Sequence, residues 1–372
     1  MALDLNLISI IVFYSLIALY FYAKRKNISR EYGIFFLYRT QRFTNIMRSI
    51  ANLNPKFWQW FGYAAVPVGF AGMFAIFGYL GYALVKLFLI PTAAPSVSLV
   101  IPGVRIPGSI FVPFWYGIIA LFFVIVVHEG MHGVVSEAWK LKLKSSGVGL
   151  LAFLPLAFVE PPEDKLKKQK LIVQESIFAA GAFANFVTAG LVILISTFLI
   201  APAASGIYTH DVAPGMPAAL AGLQSGDIIT QINGEKIKYA SDFANAMQSV
   251  KVGDKITLST AKKSYQIKTI DNPNSKGKSY IGINFRQNFP FFGLFEISNL
   301  LYWIFVLNIG IGIMNLLPLG PMDGGKMLGA LLQRRIKNQK FALKVFSSVS
   351  YISLIFLLGN IFVPYLLKLG QI

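Results

Sequence analysis

Residues 111–139 read FVPFWYGIIALFFVIVVHEGMHGVVSEAW, and this stretch decides the fold class of the chain. Most of it is an unbroken apolar run, and about 20 apolar residues in a helix span the roughly 30 Å of hydrocarbon in a bilayer. The stretch therefore predicts a membrane-spanning helix. It also carries His128, Glu129 and His132, and ionisable groups inside a span are unfavourable unless a function requires them. We therefore expect a functional site in this helix.

The composition of the whole chain extends this interpretation. Of the 372 residues 55% are hydrophobic and only 13% are charged, and the mean hydropathy is +0.60, which exceeds what a soluble core requires. The first apolar run lacks a small-residue cleavage site, which favours a retained helix over a cleaved signal peptide. We predict a multi-span α-helical membrane protein with about six transmembrane helices. They are expected near residues 7–23, 59–91, 111–139, 171–201, 290–317 and 343–367.

The net charge of +18 suggests nucleic-acid binding, but the basic residues lie in short loops beside apolar runs, without a base-reading module. We therefore expect membrane lipids and no nucleic acid as partners. Lys and Arg number eight in 23–57, seven in 140–170 and six in 326–344, against one in 93–110. The positive-inside rule makes the three rich loops cytoplasmic. An integral protein of the cell membrane is predicted, with residues 204–288 extracytoplasmic and the motif site toward the cytoplasm.

Residues 204–288 have a different character from the rest of the chain. Charge rises and apolar runs shorten around APGMPAALAGL (213–223), GDII (226–229) and ING (232–234). The pattern predicts a short helix beginning near Pro217, then a strand and an Asn-Gly hairpin. It resembles a PDZ domain of bacterial and archaeal membrane proteases, which implies binding of extended peptide for substrate recognition or gating. A small α+β insert without a ligand is the alternative.

The H-E-x-x-H pattern at 128–132 suggests a metal site. Residues four apart lie on one face of a helix, so both imidazoles can bind a single Zn²⁺. Zinc lowers the pKa of a water molecule that it binds to about 7, and Glu129 is placed to accept the proton. Peptide hydrolysis is the reaction for which this zinc motif is usually used. Polar residues that bridge helices or relay protons are the alternative.

A catalytic zinc takes three protein ligands, and the chain has no cysteine, so we expect a carboxylate as the third. Asp323 lies in NLLPLGPMDGG (315–325), whose prolines and glycines break a helix. Broken helix at membrane depth is tolerated only where it is buried in protein or lines a wet cavity. The candidate carboxylates are Asp323, Glu160, Glu175, Glu296 and Glu137.

The motifs together resemble the site-2 protease family of intramembrane metalloproteases. The resemblance covers roughly residues 110–325 and rests on the H-E-x-x-H, the PDZ-like insert and the later Asn-x-x-Pro and Asp-Gly segment. It implies His128, His132 and Asp323 as zinc ligands and Glu129 as general base. A Gly-x-x-x-Asn stretch at 181–185 also matches the family. Asn185 and Asn315 are expected to contact the substrate backbone or the oxyanion, or alternatively to form interhelical hydrogen bonds.

The apolar segment 147–159 is too short to cross a bilayer and contains Gly and Pro. We interpret it as a re-entrant hairpin directed toward the zinc, whose edge can pair with an unwound substrate, or else as a hydrophobic surface loop. The expected domains are N-terminal helices with a basic cytoplasmic loop (1–110), two halves of a catalytic core (111–203 and 289–372) and the PDZ-like domain (204–288).

The predicted function is zinc-dependent endopeptidase cleavage of transmembrane segments, in regulated intramembrane proteolysis. The expected partners are transmembrane protein substrates, with a peptide or substrate tail at the PDZ-like domain. An intramembrane metal-binding transporter or channel would use the same ligands for transit. A membrane scaffold that presents its PDZ-like domain would need no metal.

Overall fold

The computed structural model describes residues 5–25, 28–31, 35–90, 96–106, 109–151, 154–273 and 275–369. The chain divides into two units. The helical unit comprises Met1–Val192 and Tyr302–Ile372, and the strand-rich unit comprises Ile193–Leu301.

Long helices form at all six predicted apolar runs, so the predicted fold class is confirmed. Within the described residues five helices are long and apolar enough to cross a membrane. The first helix is also apolar, but its apolar part, Leu7–Ala23, is shorter. The elements up to residue 195 are α1 (Leu5–Ala23), β1 (Ile28–Glu31), β2 (Phe35–Thr40), α2 (Arg42–Leu53), α3 (Pro55–Leu89), α4 (Phe114–Ala138), β3 (Ser145–Leu151), β4 (Leu154–Glu160), α5 (Glu163–Leu166) and α6 (Leu171–Ile195).

Small residues on α3 allow the helices of the helical unit to approach closely. A Cβ atom added to Gly62 would lie 3.0 Å from Cβ of Ser176, and one added to Gly69 would lie 3.0 Å from Cβ of Ala179. Both partners belong to α6. Such contacts hold membrane helices together because the lipid offers no hydrophobic driving force for association.

The basic segment 23–57 is more structured than the sequence indicated. It supplies β1, β2 and the amphipathic helix α2, which packs against α4. Because only one face of α2 is apolar, its sequence lacks the long apolar run that predicted the other helices. The helix α3 begins at Pro55 rather than near residue 59 because the side chain of Asn54 caps it by accepting a hydrogen bond from the N–H of Phe57.

An antiparallel sheet of four strands, in the order β1-β2-β3-β4, forms beside α4. Strands β3 and β4 form the hairpin predicted at 147–159, with residues 152–153 outside the described part of the chain. Strand β2 pairs with β3 from Phe35 opposite Leu151 to Thr40 opposite Ser146. One edge of β4 therefore pairs with β3, and the described strands leave its other edge open.

The strand-rich unit has the predicted short helix, strand and hairpin. Pro217 is the first residue of the short helix, and Asn233 and Gly234 both have positive φ (49° and 86°), as a two-residue hairpin turn requires. Its strands and short helices are β5 (Ile207–Val212), α7 (Pro217–Leu220), β6 (Ile228–Ile232), β7 (Glu235–Lys236), α8 (Ala240–Ser249), β8 (Lys255–Thr260), β9 (Ser264–Lys268), β10 (Ile270–Asn272), β11 (Ser275–Tyr280) and β12 (Ile283–Gln287). The chain continues with α9 (Phe292–Asn315), which begins in this unit, and with α10 (Asp323–Arg335) and α11 (Gln339–Leu369) of the helical unit.

The main sheet of this unit has the order β12-β5-β6-β8-β9, with β7 beside β6. Its core contains Ile207, Ile229, Leu258 and Ile267, all fully buried. The terminal strand β12 pairs with β5 on one side. Helix α8 contacts β12 through the rings of Phe243 and Phe285, which meet edge to face with centroids 4.9 Å apart.

Candidate metal centre

Three side chains from distant parts of the helical unit converge on one point. The Nε2 atoms of His128 and His132 are 3.3 Å apart, and Oδ2 of Asp323 lies 3.1 Å from each of them. All three residues are buried, with 6%, 8% and 3% of their surface exposed. The structure thus brings together the two motif histidines and one of the five candidate carboxylates.

Local structure explains how each residue arrives there. The two histidines are four residues apart on α4 and share a face. Asp323 is the first residue of α10, which follows a break containing Pro318 and Pro321. Cβ atoms added to Gly324 and Gly325 would overlap with the carbonyl oxygens of the preceding loop, so the tight approach of this loop requires glycine.

Helix α6 forms the wall behind the imidazoles. Nδ1 of His132 lies 2.7 Å from the carbonyl oxygen of Ile177, so Nδ1 carries the proton and donates it, which leaves the lone pair of Nε2 free. Nδ1 of His128 lies 3.1 Å from the side-chain amide of Asn185. A Cβ atom added to Gly181 would overlap with Nε2 of His132 and lie 2.9 Å from Cε1 of His128. Gly181 therefore leaves the space that the two rings occupy.

The donor set fits a tetrahedral Zn²⁺ ion. Ligands at about 2.0–2.1 Å from a tetrahedral ion lie about 3.3 Å from one another, and the three donor atoms are separated by 3.1–3.3 Å. Two imidazoles with one carboxylate favour zinc over Mg²⁺ or Ca²⁺, which prefer sets of oxygen ligands. Three protein ligands also leave a fourth position for water or substrate, as catalytic zinc sites do.

Glu129 lines a cavity of about 180 Å³ together with His128. Strand β4 contributes Leu156 and Ala157 to this cavity, and α9 contributes Ile311 and Asn315. The motif glutamate, one motif histidine and strand β4, whose other edge is open, therefore all line the same cavity.

The family follows from a comparison with known proteins. The family model described as peptidase family M50 matches residues 116–359. The chain belongs to peptidase family M50. This confirms the resemblance to the site-2 proteases, and it identifies a metalloprotease family whose members are membrane proteins.

The chain is also similar to individual known proteins. The chain is 30% identical over 312 residues to the uncharacterized protein MJ0971 of Methanocaldococcus jannaschii, which covers 80% of this chain and 78% of that protein. A match at 40% identity over 65 residues to the chloroplastic Protease Do-like 1 of Arabidopsis thaliana covers 14% of this chain and 15% of that protein. The solved PDZ domain of the SdrC-like protein Lmo2051 from Listeria monocytogenes is 32% identical, covers 22% of this chain and 87% of that chain, and has a TM-score of 0.20.

The other four candidate carboxylates lie outside the cluster of donor atoms. Glu137 accepts hydrogen bonds from Arg48 at 3.1 Å and from the N–H of Leu143 at 3.0 Å. Glu160 forms an ion pair with Arg39 at 3.0 Å. Glu175 is buried in α6, and neither of its oxygens has a hydrogen-bond partner among the described residues. Glu296 lies in the part of α9 that belongs to the strand-rich unit.

The two asparagines that the sequence singled out occupy different positions. Asn185 is fully buried and contacts His128, whereas Asn315 lines the cavity and donates from Nδ2 to the carbonyl oxygen of Ile311 at 3.0 Å. Asn185 is thus a neighbour of a candidate metal ligand, and Asn315 faces the space beside Glu129.

Sequence reasoning missed the groups around the ligands. Lys326 lies 3.3 Å from Oδ1 of Asp323, the carboxylate oxygen that points away from the histidines. The spacing i, i+3 could have indicated this pair, but only if α10 had been predicted. The carbonyl oxygen of Ile177 carries no sequence signal, because every residue has one.

Proposed function

We propose that the chain is a zinc-dependent endopeptidase that cleaves transmembrane segments of membrane proteins. Three buried donor atoms at zinc-ligand spacing, with Glu129 in the adjoining cavity, carry this proposal. His128, His132 and Asp323 are the proposed zinc ligands, one ion per chain. The ion would supply Lewis acidity, which polarises the scissile carbonyl and makes bound water more acidic.

Glu129 is the proposed general base. Its carboxylate accepts a proton from the attacking water as the new C–O bond forms, and it returns this proton to the leaving amide nitrogen as the C–N bond breaks. Four of the seven side chains that line the cavity are apolar, which limits how much water competes for that carboxylate.

Asn185 is proposed to position His128 rather than to contact substrate. With Nε2 directed at the ion, Nδ1 of His128 carries the proton and requires an acceptor. When the amide of Asn185 is oriented with Oδ1 toward His128, that requirement is met, and the buried Oδ1 gains a partner that it otherwise lacks.

Asn315 is the proposed donor to the substrate. Its Nδ2 has two hydrogen atoms, and the bond to Ile311 uses one of them. The second is available to a substrate carbonyl or to the developing oxyanion in the cavity. An interhelical hydrogen bond is the alternative role for Asn315, but its bond to Ile311 lies within α9 and does not support that role.

Strand β4 is proposed to hold the substrate in extended form. A transmembrane helix hides its amides in internal hydrogen bonds, so it must unwind before a peptide bond reaches Glu129. The open edge of β4 offers backbone donors and acceptors to the unwound segment, and Leu156 and Ala157 place that edge at the cavity.

The strand-rich unit is proposed to bind extended peptide, as a PDZ domain does. Support comes from β12, which pairs with β5 on one edge and has no partner on its other edge among the described strands. We propose domain limits of 204–288 for this binding domain, with 1–110, 111–203 and 289–372 forming the rest. Substrate recognition or gating in regulated intramembrane proteolysis is the proposed role.

The distribution of basic residues supports the proposed orientation. The loops at 23–57, 140–170 and 326–344 are rich in Lys and Arg, whereas 93–110 holds only Arg105. We propose that the rich loops face the cytoplasm, that the zinc site lies toward this side, and that the PDZ-like domain is outside the cell membrane.

The test is cleavage of single-span membrane peptides by the purified full chain in proteoliposomes, with products mapped by mass spectrometry. Glu129→Gln is expected to lower the rate about 10²–10⁴-fold while bound zinc stays stoichiometric, because a general base contributes a factor of this size. A chelator is expected to stop cleavage by the wild type. Undiminished cleavage by Glu129→Gln would refute the proposal, and zinc flux that survives this substitution would favour a transporter.

A further inference from the structure

A cavity in the strand-rich unit is lined by residues of β5, β12 and the start of α9. Ile207 and Thr209 of β5 point into the core and are fully buried, so Tyr208 and His210 between them point outward. Arg286 of β12 stands opposite Tyr208 in the strand register. Together with Phe285 and the start of α9 these residues line an open cavity of about 560 Å³, a volume in the range of small-molecule sites.

One cation is held in this cavity by aromatic rings. The guanidinium carbon of Arg286 lies 4.4 Å from the ring centroid of Tyr208, 4.4 Å from that of Phe295 and 5.4 Å from that of Phe292. Cation–π contacts with these rings stabilise the guanidinium, whose fork of N–H donors matches the geometry of a phosphate. Asp211 and Glu296 adjoin these residues in sequence, but neither lines the cavity.

The cavity also lies where a membrane helix begins. Phe292 is the first residue of α9, one of the five helices that are long and apolar enough to cross a bilayer. Phe291 and Phe292 expose 59% and 63% of their surface. Two adjacent exposed phenylalanines at the end of a membrane helix suit the boundary between head groups and acyl chains.

We propose that this cavity binds the head group of an anionic glycerophospholipid. The lipid phosphate accepts hydrogen bonds from the guanidinium of Arg286. The side chains of Tyr208 and Asn284 form hydrogen bonds with the polar glycerol region. Acyl chains follow the phenylalanines of α9. Phe285 of β12 lines this cavity and also contacts Phe243 of α8, so β12 contributes both to the cavity and to the proposed peptide site. Bound lipid would link the first turn of α9 to β12.

The test titrates the full chain in detergent with phosphatidylglycerol or with phosphatidylcholine of the same acyl chains, followed by native mass spectrometry. Wild type is expected to bind phosphatidylglycerol more tightly. Arg286→Gln is expected to weaken that binding about tenfold, which matches the loss of a hydrogen bond to a charged group. Arg286→Lys keeps the charge but not the planar fork and is expected to give an intermediate affinity.

Lys263→Gln is the matched control, because Lys263 lies in the same unit with its ammonium 4.7 Å from the ring centroid of Tyr265. It removes the same charge and is expected to leave the affinity for phosphatidylglycerol unchanged. Equal affinities of wild type and Arg286→Gln would overturn the proposal. So would an equal loss in Lys263→Gln, or binding of free glycerol phosphate as tight as that of the lipid. Unchanged melting temperatures exclude misfolding of the variants.

Discussion

In the helical unit three buried atoms with lone pairs face one another, whereas in the strand-rich unit the buried carboxylate of Asp227 faces hydrogen-bond donors. Nε2 of His128, Nε2 of His132 and Oδ2 of Asp323 lie 3.1–3.3 Å apart. Oδ2 of Asp227 lies 3.0 Å from the N–H of Gln224 and 2.7 Å from the hydroxyl of Tyr265.

This difference in surroundings distinguishes polar groups that stabilise the fold from polar groups that are arranged to bind a ligand. Acceptors that converge in a buried site repel one another unless a cation or proton lies between them. A carboxylate surrounded by donors is satisfied by the fold alone. The first arrangement indicates a site for a bound ion, and the second belongs to the structural core.

The largest expected effect comes from removing one of the converging atoms. His128→Ala is expected to abolish both stoichiometric zinc and cleavage, because one imidazole and one carboxylate do not complete a catalytic site. Zinc content by plasma mass spectrometry and peptide cleavage measure the outcome. His210→Ala removes the histidine of the strand-rich unit and is expected to retain full zinc content. Normal zinc in His128→Ala would contradict the proposed ligand set.

The space behind the imidazoles gives a second test. Gly181→Ala is expected to reduce zinc affinity strongly, since the added methyl overlaps with Nε2 of His132, although alanine favours a helix by about 1 kcal/mol over glycine. Gly190→Ala on the same helix is the control, because a Cβ atom there meets nothing within 4 Å. Competition with a chromogenic chelator gives both affinities. Equal affinities in the two variants would show that the rings do not depend on this space.

The contact of Asn185 with His128 provides a third test of the proposed metal site. Asn185→Ala is expected to lower zinc affinity about 10–100-fold, the range for groups that orient a metal ligand. Asn185→Asp keeps an acceptor for the N–H of His128 and is expected to bind zinc more tightly than Asn185→Ala. Asn308→Ala removes another fully buried asparagine and is expected to leave zinc affinity unchanged. If the Ala and Asp variants at 185 bind zinc equally, the asparagine does not act as an acceptor.

The smallest expected effect concerns Asp227. Burial raises the pKa of Asp227, but hydrogen bonds from Gln224 and Tyr265 and the charges of Lys262 and Lys263 outweigh it and hold this pKa below its ordinary value. The stabilisation is therefore present above the unfolded pKa of about 3.9 and is lost as the pH falls through the lower folded pKa.

Hydrogen exchange in the full chain measures this effect at the strands that surround Asp227. Asp227→Asn is expected to exchange faster than wild type in β8 and β9 at pH 6, and this difference should shrink toward pH 3. Asp254→Asn, at an exposed position, serves as the control for the loss of one negative charge. A difference that stays constant with pH would mean that the carboxylate charge does not stabilise the unit.

Several features of the fold were predictable because they depend on local chemistry. The apolar runs predicted six helices, and Pro217 and the Asn233–Gly234 pair predicted the start of α7 and the hairpin turn. Strands β1 and β2 were not predicted, because they are short and become stable only in the sheet that β2 forms with β3, more than 100 residues later. The amphipathic helix α2 was missed for a similar reason, because its apolar face is buried only when the helix packs against α4.

The sequence by itself determined the chemistry of the candidate site: two imidazoles on one helical face, a glutamate between them and no thiolate. Among five candidate carboxylates, the broken helix and the family resemblance favoured Asp323. Only the tertiary structure decided which of them lies beside the histidines, because ion pairs with Arg48 and Arg39 engage Glu137 and Glu160, while the break before α10 brings Asp323 to the histidines. Spacing along a helix is a local property, whereas convergence across 191 residues depends on packing.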